Sequence, residues 1–276
     1  MSASSEEIPN KGQGKPTAHK ALRYLTIIAH GSAPFLSTFL LVHLSAPILA
    51  NFGGSELASK TMLLGREYYQ TSFGEKYLLL GPLVVHSLSG LSKRLISTLS
   101  SNRTSPNANG DGNQAIPKPR PFSSLLSVTG YSLAFLFLPI HYLTHRVIPT
   151  NPSLPIDAFG PSELDYEFVK AGLHKWPKTS SFLYGGLVAF SVLHAVGGSD
   201  VIWKTWKNKT GLSRVKDLVN RIKINRRWKS RLALITIVIP TLTGLYAIAK
   251  EPVVVLSSNL QRYEAVFRHF LVYRLS

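Results

Sequence analysis

Two histidines, His86 and His194, each lie inside a long apolar run, and each is followed four residues later by a glycine, Gly90 and Gly198. On a helix, positions i and i+4 share a face. Each glycine therefore leaves a gap one turn from its imidazole, where a neighbouring helix or a flat ligand can approach the backbone. An imidazole beside such a gap, in apolar surroundings, suits the axial ligation of haem. The plainer role for a histidine in an apolar helix is a hydrogen bond to a neighbouring Ser or Tyr, and it is the repetition that favours ligation. His43 and His141 lie in apolar runs of their own, which gives four histidines on four successive runs.

Five such runs must position these side chains: residues 34–50, 77–96, 122–144, 182–202 and 232–249. Each falls within the roughly 17–25 residues a bilayer-spanning helix needs and is almost free of charge. The fold expected is all-α, an integral membrane five-helix bundle. Aligning His141 with His43 also brings Phe137 onto Phe39 and Leu138 onto Leu40, so the bundle reads as a two-helix repeat plus one extra span. At about 1.5 Å of rise per residue, His86 lies about 13 Å and His194 about 18 Å into runs of the same direction. Depth thus pairs His86 with His194, and His43 with His141 near the ends of two other parallel runs. Lys93 and Arg94 follow about 10–12 Å beyond His86; they can snorkel to the interface or meet haem propionates.

The 276 residues carry a net charge of +17 with only 16% charged residues. Residues 200–231 hold eleven basic and two acidic groups and 93–121 hold five and one, whereas 51–76 and 146–178 each balance. Such alternation is the positive-inside asymmetry of a five-span protein with a cytosolic N-terminus, and it argues against nucleic acid as partner. There is no cysteine, hence no disulfide, thiolate metal site or Fe–S cluster. No phosphate-binding loop, nucleophile elbow or zinc-protease motif occurs, and the interiors of the spans carry no acidic residue for proton coupling or carboxylate catalysis.

Residues 1–24 read as a disordered cytosolic tail without a cleavable targeting signal, and 25–250 as the five-span domain. Residues 55–70 read as a short helix lying at the interface, and His145 and His174 as interfacial and solvated. The 100–121 linker is rich in Ser, Asn, Gly and Pro and ends with Pro117, Pro119 and Pro121 alternating with Lys118 and Arg120; it favours an extended path of the kind partner proteins bind. Residues 203–231 form a basic loop with Val215, Leu218, Val219 and Ile222 at helical spacing, suited to an anionic lipid surface. Residues 251–276 read as an amphipathic tail helix.

Arg66, Tyr69, Gln70, Glu75, Pro82, His86, Ser89, Gly90 and Arg94 together resemble the fungal mitochondrial outer-membrane adapter family Mcp, named for complementing loss of Mdm-ten. Its transmembrane domain is similar to the cytochrome b subunits of fumarate reductase and succinate dehydrogenase. The resemblance runs from about residue 25 to the fifth span. It implies a non-enzymatic, multi-pass mitochondrial outer-membrane protein in lipid homeostasis, which recruits a Vps-thirteen-type bridge-like lipid-transfer protein through a Pro-x-Pro segment. The Pro-x-Pro here is 117–121, whereas family adapters carry theirs in the N-terminal tail, and residues 1–30 lack one. Carried over from the cytochrome b relatives, the resemblance also implies haem b on His86 and His194 first, and on His43 and His141 second.

Overall fold

The computed structural model describes residues 14–101, 118–207 and 226–275; among these every regular element is helical. Helix α1 runs Gly14–Tyr69, α2 Gly81–Ser101, α3 Leu125–Thr150, α4 Tyr166–Lys175, α5 Pro177–Trp206, α6 Arg227–Lys250, α7 Ser257–Arg268 and α8 Leu271–Arg274. Four of them, α1, α3, α5 and α6, are long and apolar enough to cross a membrane, against five runs read from the sequence. Helix α2 is not among the four. His86, Ser87, Ser89, Ser92, Lys93 and Arg94 dilute its apolar character, and it packs along α1.

Gly53 and Gly54 break α1 into a long arm, 14–52, and a short arm, 55–69; Gly54 has φ +59°, open to glycine and strained for other residues. The long arm begins before residue 25, so 14–24 continue it as helix. The short arm does not lie flat at an interface. It doubles back along the long arm, which brings Gly65 against Val42 and Tyr69 against His43.

Four helical turns are widened to i→i+5 hydrogen bonding: Gly74–Leu80, Leu133–Phe137, Leu143–Val147 and Leu234–Val238. Each ends two residues before a proline, Pro82, Pro139, Pro149 or Pro240. Proline lacks an N–H and its ring crowds the carbonyl four residues earlier. Adding one residue to the turn relieves the crowding and offers the displaced carbonyls other donors, the usual form of a single π-turn within an α-helix.

The helices share two ends. At the basic end, Arg94 meets Arg120, Trp206 donates to His30 at 2.9 Å, and Lys229 pairs with Asp200 at 2.7 Å. At the opposite, capped end, α4, α7 and α8 close over the bundle around Phe168, Trp176, Val266, Phe267 and Tyr273, with the Phe168 and Phe267 rings stacked at 4.6 Å. Residues 251–276, read as one tail helix, thus divide into α7 and α8. Between α3 and the widened turn leading into α2, Arg146 holds Glu75 through two hydrogen bonds of 2.7 Å. Helices α1 and α6 approach closely where Gly244 faces the Pro47 carbonyl, and Asn51 Nδ2 donates to the Pro240 carbonyl at 2.7 Å.

Glu251, just past α6, clasps the capped end. It accepts the Ser55 N–H at 2.9 Å and the Ser55 hydroxyl, and it lies 3.5 Å from the buried Lys170 ammonium. Burial by itself raises the Glu251 carboxyl, but the Ser55 hydrogen bonds and the Lys170 charge outweigh it and hold the pKa below the ordinary 4.5. A depressed carboxyl pKa stabilises the fold above the unfolded value and loses that contribution as pH falls through the folded value. Asp165, whose carboxyl burial raises, carries the opposite slope. The melting temperature of Glu251→Gln minus that of the wild type is therefore expected to be negative at pH 7 and to shrink towards zero as pH drops below 4.5. A difference independent of pH would show that Glu251 acts through shape rather than charge.

Candidate functional site

The structure brings the four sequence-singled histidines together in two pairs. The His86 and His194 rings are 6.1 Å apart, centroid to centroid, and inclined at 80°. Those of His43 and His141 are 5.9 Å apart at 76°. Along α1, Ser32 beside the first pair and His43 in the second are eleven residues apart, about 16 Å of helix. The pairs thus lie at two levels, the first nearer the basic end and the second nearer the cap.

Hydrogen bonds set the orientation of the first pair. His86 Nδ1 lies 3.0 Å from the Ala29 carbonyl and 3.1 Å from Ser32 Oγ. A carbonyl only accepts, so Nδ1 carries the proton and Nε2 keeps its lone pair. His194 Nδ1 lies 3.3 Å from Thr129 Oγ1, whose own proton goes to the Leu125 carbonyl at 2.8 Å. His194 Nδ1 is then the donor here too, and its Nε2 is the free acceptor. Each ring therefore bonds across to a neighbouring hydroxyl, the plainer of the two roles read from the sequence, and each keeps Nε2 as an acceptor. An N–H anchored on oxygen is the outer support that ligating histidines use.

The separation of these two rings is that of a ligand pair for one metal ion. Two imidazole–metal bonds of about 2 Å put ring centroids roughly 6 Å apart. Gly90 and Gly198 face open space, as a flat ligand requires, while Gly130 supplies the close approach: a Cβ there would stand 3.0 Å from His194. Lys93 is half-buried two turns beyond His86. Arg94 is committed within the protein, donating to the Arg120 carbonyl at 2.9 Å with its guanidinium 3.3 Å above the Phe122 ring.

The second pair is more crowded. His43 stacks on Phe39 at 5.2 Å and faces the Tyr69 hydroxyl at 3.4 Å. His141 lies 4.4 Å from the His145 ring, and its buried Nδ1 has no partner, like the Thr144 hydroxyl nearby. His145 is not interfacial. It turns inward to Tyr184, 3.1 Å from the hydroxyl, and packs on Phe168. His174 is exposed, with Nε2 3.0 Å from the Glu251 carbonyl. Only the first pair has both Nδ1 atoms fixed on oxygen.

Sequence reasoning missed Ser32, Thr129 and Gly130, because a hydroxyl or glycine in a membrane helix carries no sign of what it faces. It missed His30 too, which serves Trp206. Of the proline segment, residues 118–121 belong to no helix or strand, with Lys118, Arg120 and Pro121 exposed and Pro119 half-buried. Pro117, residues 1–13 and most of the 203–231 loop lie outside the described residues. What the fold and site define is a helical membrane bundle enclosing paired imidazoles. No protein-family model, curated protein or solved structure matches the chain.

Proposed function

We propose that this chain is a non-enzymatic, multi-pass protein of the mitochondrial outer membrane that acts in lipid homeostasis, as an adapter recruiting a Vps-thirteen-type bridge-like lipid-transfer protein. The carrying observation is the 118–121 segment, which belongs to no helix, exposes Lys118, Arg120 and Pro121, and is tied to the bundle where Arg94 holds the Arg120 carbonyl at 2.9 Å. A segment stiffened by alternate prolines loses less entropy when it docks along a groove or sheet edge. In this reading the basic end and the N-terminus face the cytosol, the C-terminus faces away, and α2 counts as a fifth span. The five spans comprise a two-helix repeat plus α6. Support for the repeat comes from the matched settings of His86 beside Ser32 of α1 and His194 beside Thr129 of α3.

Changing Pro117, Pro119 and Pro121 together to Ala is expected to abolish recruitment of the lipid-transfer protein to mitochondria, with protein level and membrane insertion unchanged. Recruitment that survives this change but disappears when residues 1–20 are deleted would move the docking site to the N-terminal tail.

A second reading, favoured by the His86–His194 geometry, is a bis-histidine haem b cytochrome of the fumarate reductase and succinate dehydrogenase anchor type. His86 and His194 would hold the iron, with His43 and His141 as a second pair. Haem would supply one-electron chemistry. The protein would set its environment through the anchored Nδ1 atoms and the apolar helices around them.

A further inference from the structure

A cleft of about 950 Å³ opens at the basic end between the start of α3, the last turns of α5 and the start of α6. Arg120, Lys204, Arg227 and Arg231 line it, and the one carboxylate among its described lining residues, Asp200, is already paired with Lys229 at 2.7 Å. Among the described residues, none of Arg120, Lys204 and Arg231 forms an ion pair with a carboxylate. Cations gathered in a concave site without counter-charge repel one another, and a bound anion relieves that repulsion. Guanidinium groups are in addition shaped for phosphate oxygens. Apolar residues line it too, among them Leu125, Leu126 and Val201, and Leu125 is 44% exposed.

We infer that this cleft binds a phosphate group carried on an apolar tail, the headgroup of an anionic phospholipid, with the phosphate between Lys204, Arg120 and Arg231 and the acyl chains against Leu125 and Val201. This goes beyond the adapter reading and beyond general contact of 203–231 with a charged surface, because it places one headgroup among three helices. The cleft also lies one helical turn from His194, through Gly197, so its occupant borders the first histidine pair.

The test uses the full chain in neutral detergent with no partner protein, so it succeeds or fails independently of recruitment. Titration with short-chain phosphatidic acid, followed by tryptophan fluorescence, is expected to saturate. Short-chain phosphatidylcholine, which has no net charge, should bind at least tenfold more weakly, and millimolar inorganic phosphate should not displace the lipid. Lys204→Gln combined with Arg231→Gln should weaken phosphatidic acid binding at least tenfold without lowering the lipid-free melting temperature. Lys250→Gln, at the other end of α6, should leave binding unchanged and so controls for net charge. Should the double variant melt early, Lys204→Gln alone is compared with Lys250→Gln at equal melting temperature. Competition by inorganic phosphate at the lipid's own affinity would make this a soluble-anion site and overturn the inference. Binding unchanged in the Lys204 variants would overturn it as well.

Discussion

On the cytochrome reading, purified protein carrying His194→Leu is expected to contain one haem b fewer per chain than the wild type, as read by reduced pyridine haemochrome stoichiometry, and His86→Leu should do the same. Each change would remove one of the two nitrogens proposed to hold the iron, and the partner ring could not make up the loss because its Nδ1 is turned away to Ala29 or Thr129. Leucine keeps volume and apolarity, so the helix should still insert. His174→Leu, at an exposed ring on the capped end, is the matched control and should change nothing. Thr129→Val should be graded rather than absolute. It removes the anchor of His194 while leaving the ligand, and loss of such a support lowers metal affinity by about 10–100-fold. Wild-type protein with no haem, purified from haem-replete cells, would sink the cytochrome reading and leave Ser32 and Thr129 as ordinary interhelical bonds.

Gly244→Val should be the most damaging single change to the bundle. A Cβ at residue 244 would stand 1.7 Å from the Pro47 carbonyl oxygen and 2.8 Å from its carbon, with Asn51 Nδ2 at 3.1 Å. These are helix backbone and a side chain already bonded to Pro240, so no flexible tip can swing away. The two helices must separate, and that undoes the dense packing of small residues which holds membrane helices together. Overpacking of this sort costs about 3 kcal/mol, or a fall in melting temperature of roughly 6–12 °C for a chain of this size. Gly185→Ala on α5 is a fair comparison, since its nearest neighbour, a Leu242 methyl, is 3.9 Å away. It should melt close to the wild type; equal loss in both would refute a specific α1–α6 contact.

How much of this was legible beforehand depended on which physical signal each residue carries. The apolar runs gave the four membrane-length helices, because length and hydropathy are local properties. Depth along each run was enough to pair His86 with His194 and His43 with His141, because the rise of a helix is fixed. The short arm of α1 was readable as a helix but not as one that folds back, since its course is set by what Tyr69 and Gly65 touch on the long arm. His145 was misread because its neighbours, Tyr184 and Phe168, come from α5 and α4, far along the chain. Ser32 and Thr129 were hidden for a further reason. Aligning His43 with His141 sets Ser32 opposite Gly130 rather than Thr129, one residue out of step.

The missing residue is in the widened turn. From Ser32 to His43 is eleven residues of helix without such a turn, and from Thr129 to His141 is twelve, with Leu133–Phe137 between them. The π-turn before Pro139 thus acts as a one-residue insertion absorbed within the helix. A proline lost from such a site would leave the extra residue behind, and a regular helix rebuilt around it would rotate everything beyond by about 100°. Losing Pro139 alone would thus turn His141 away from His43, whereas losing the surplus residue as well would restore the eleven-residue spacing of α1.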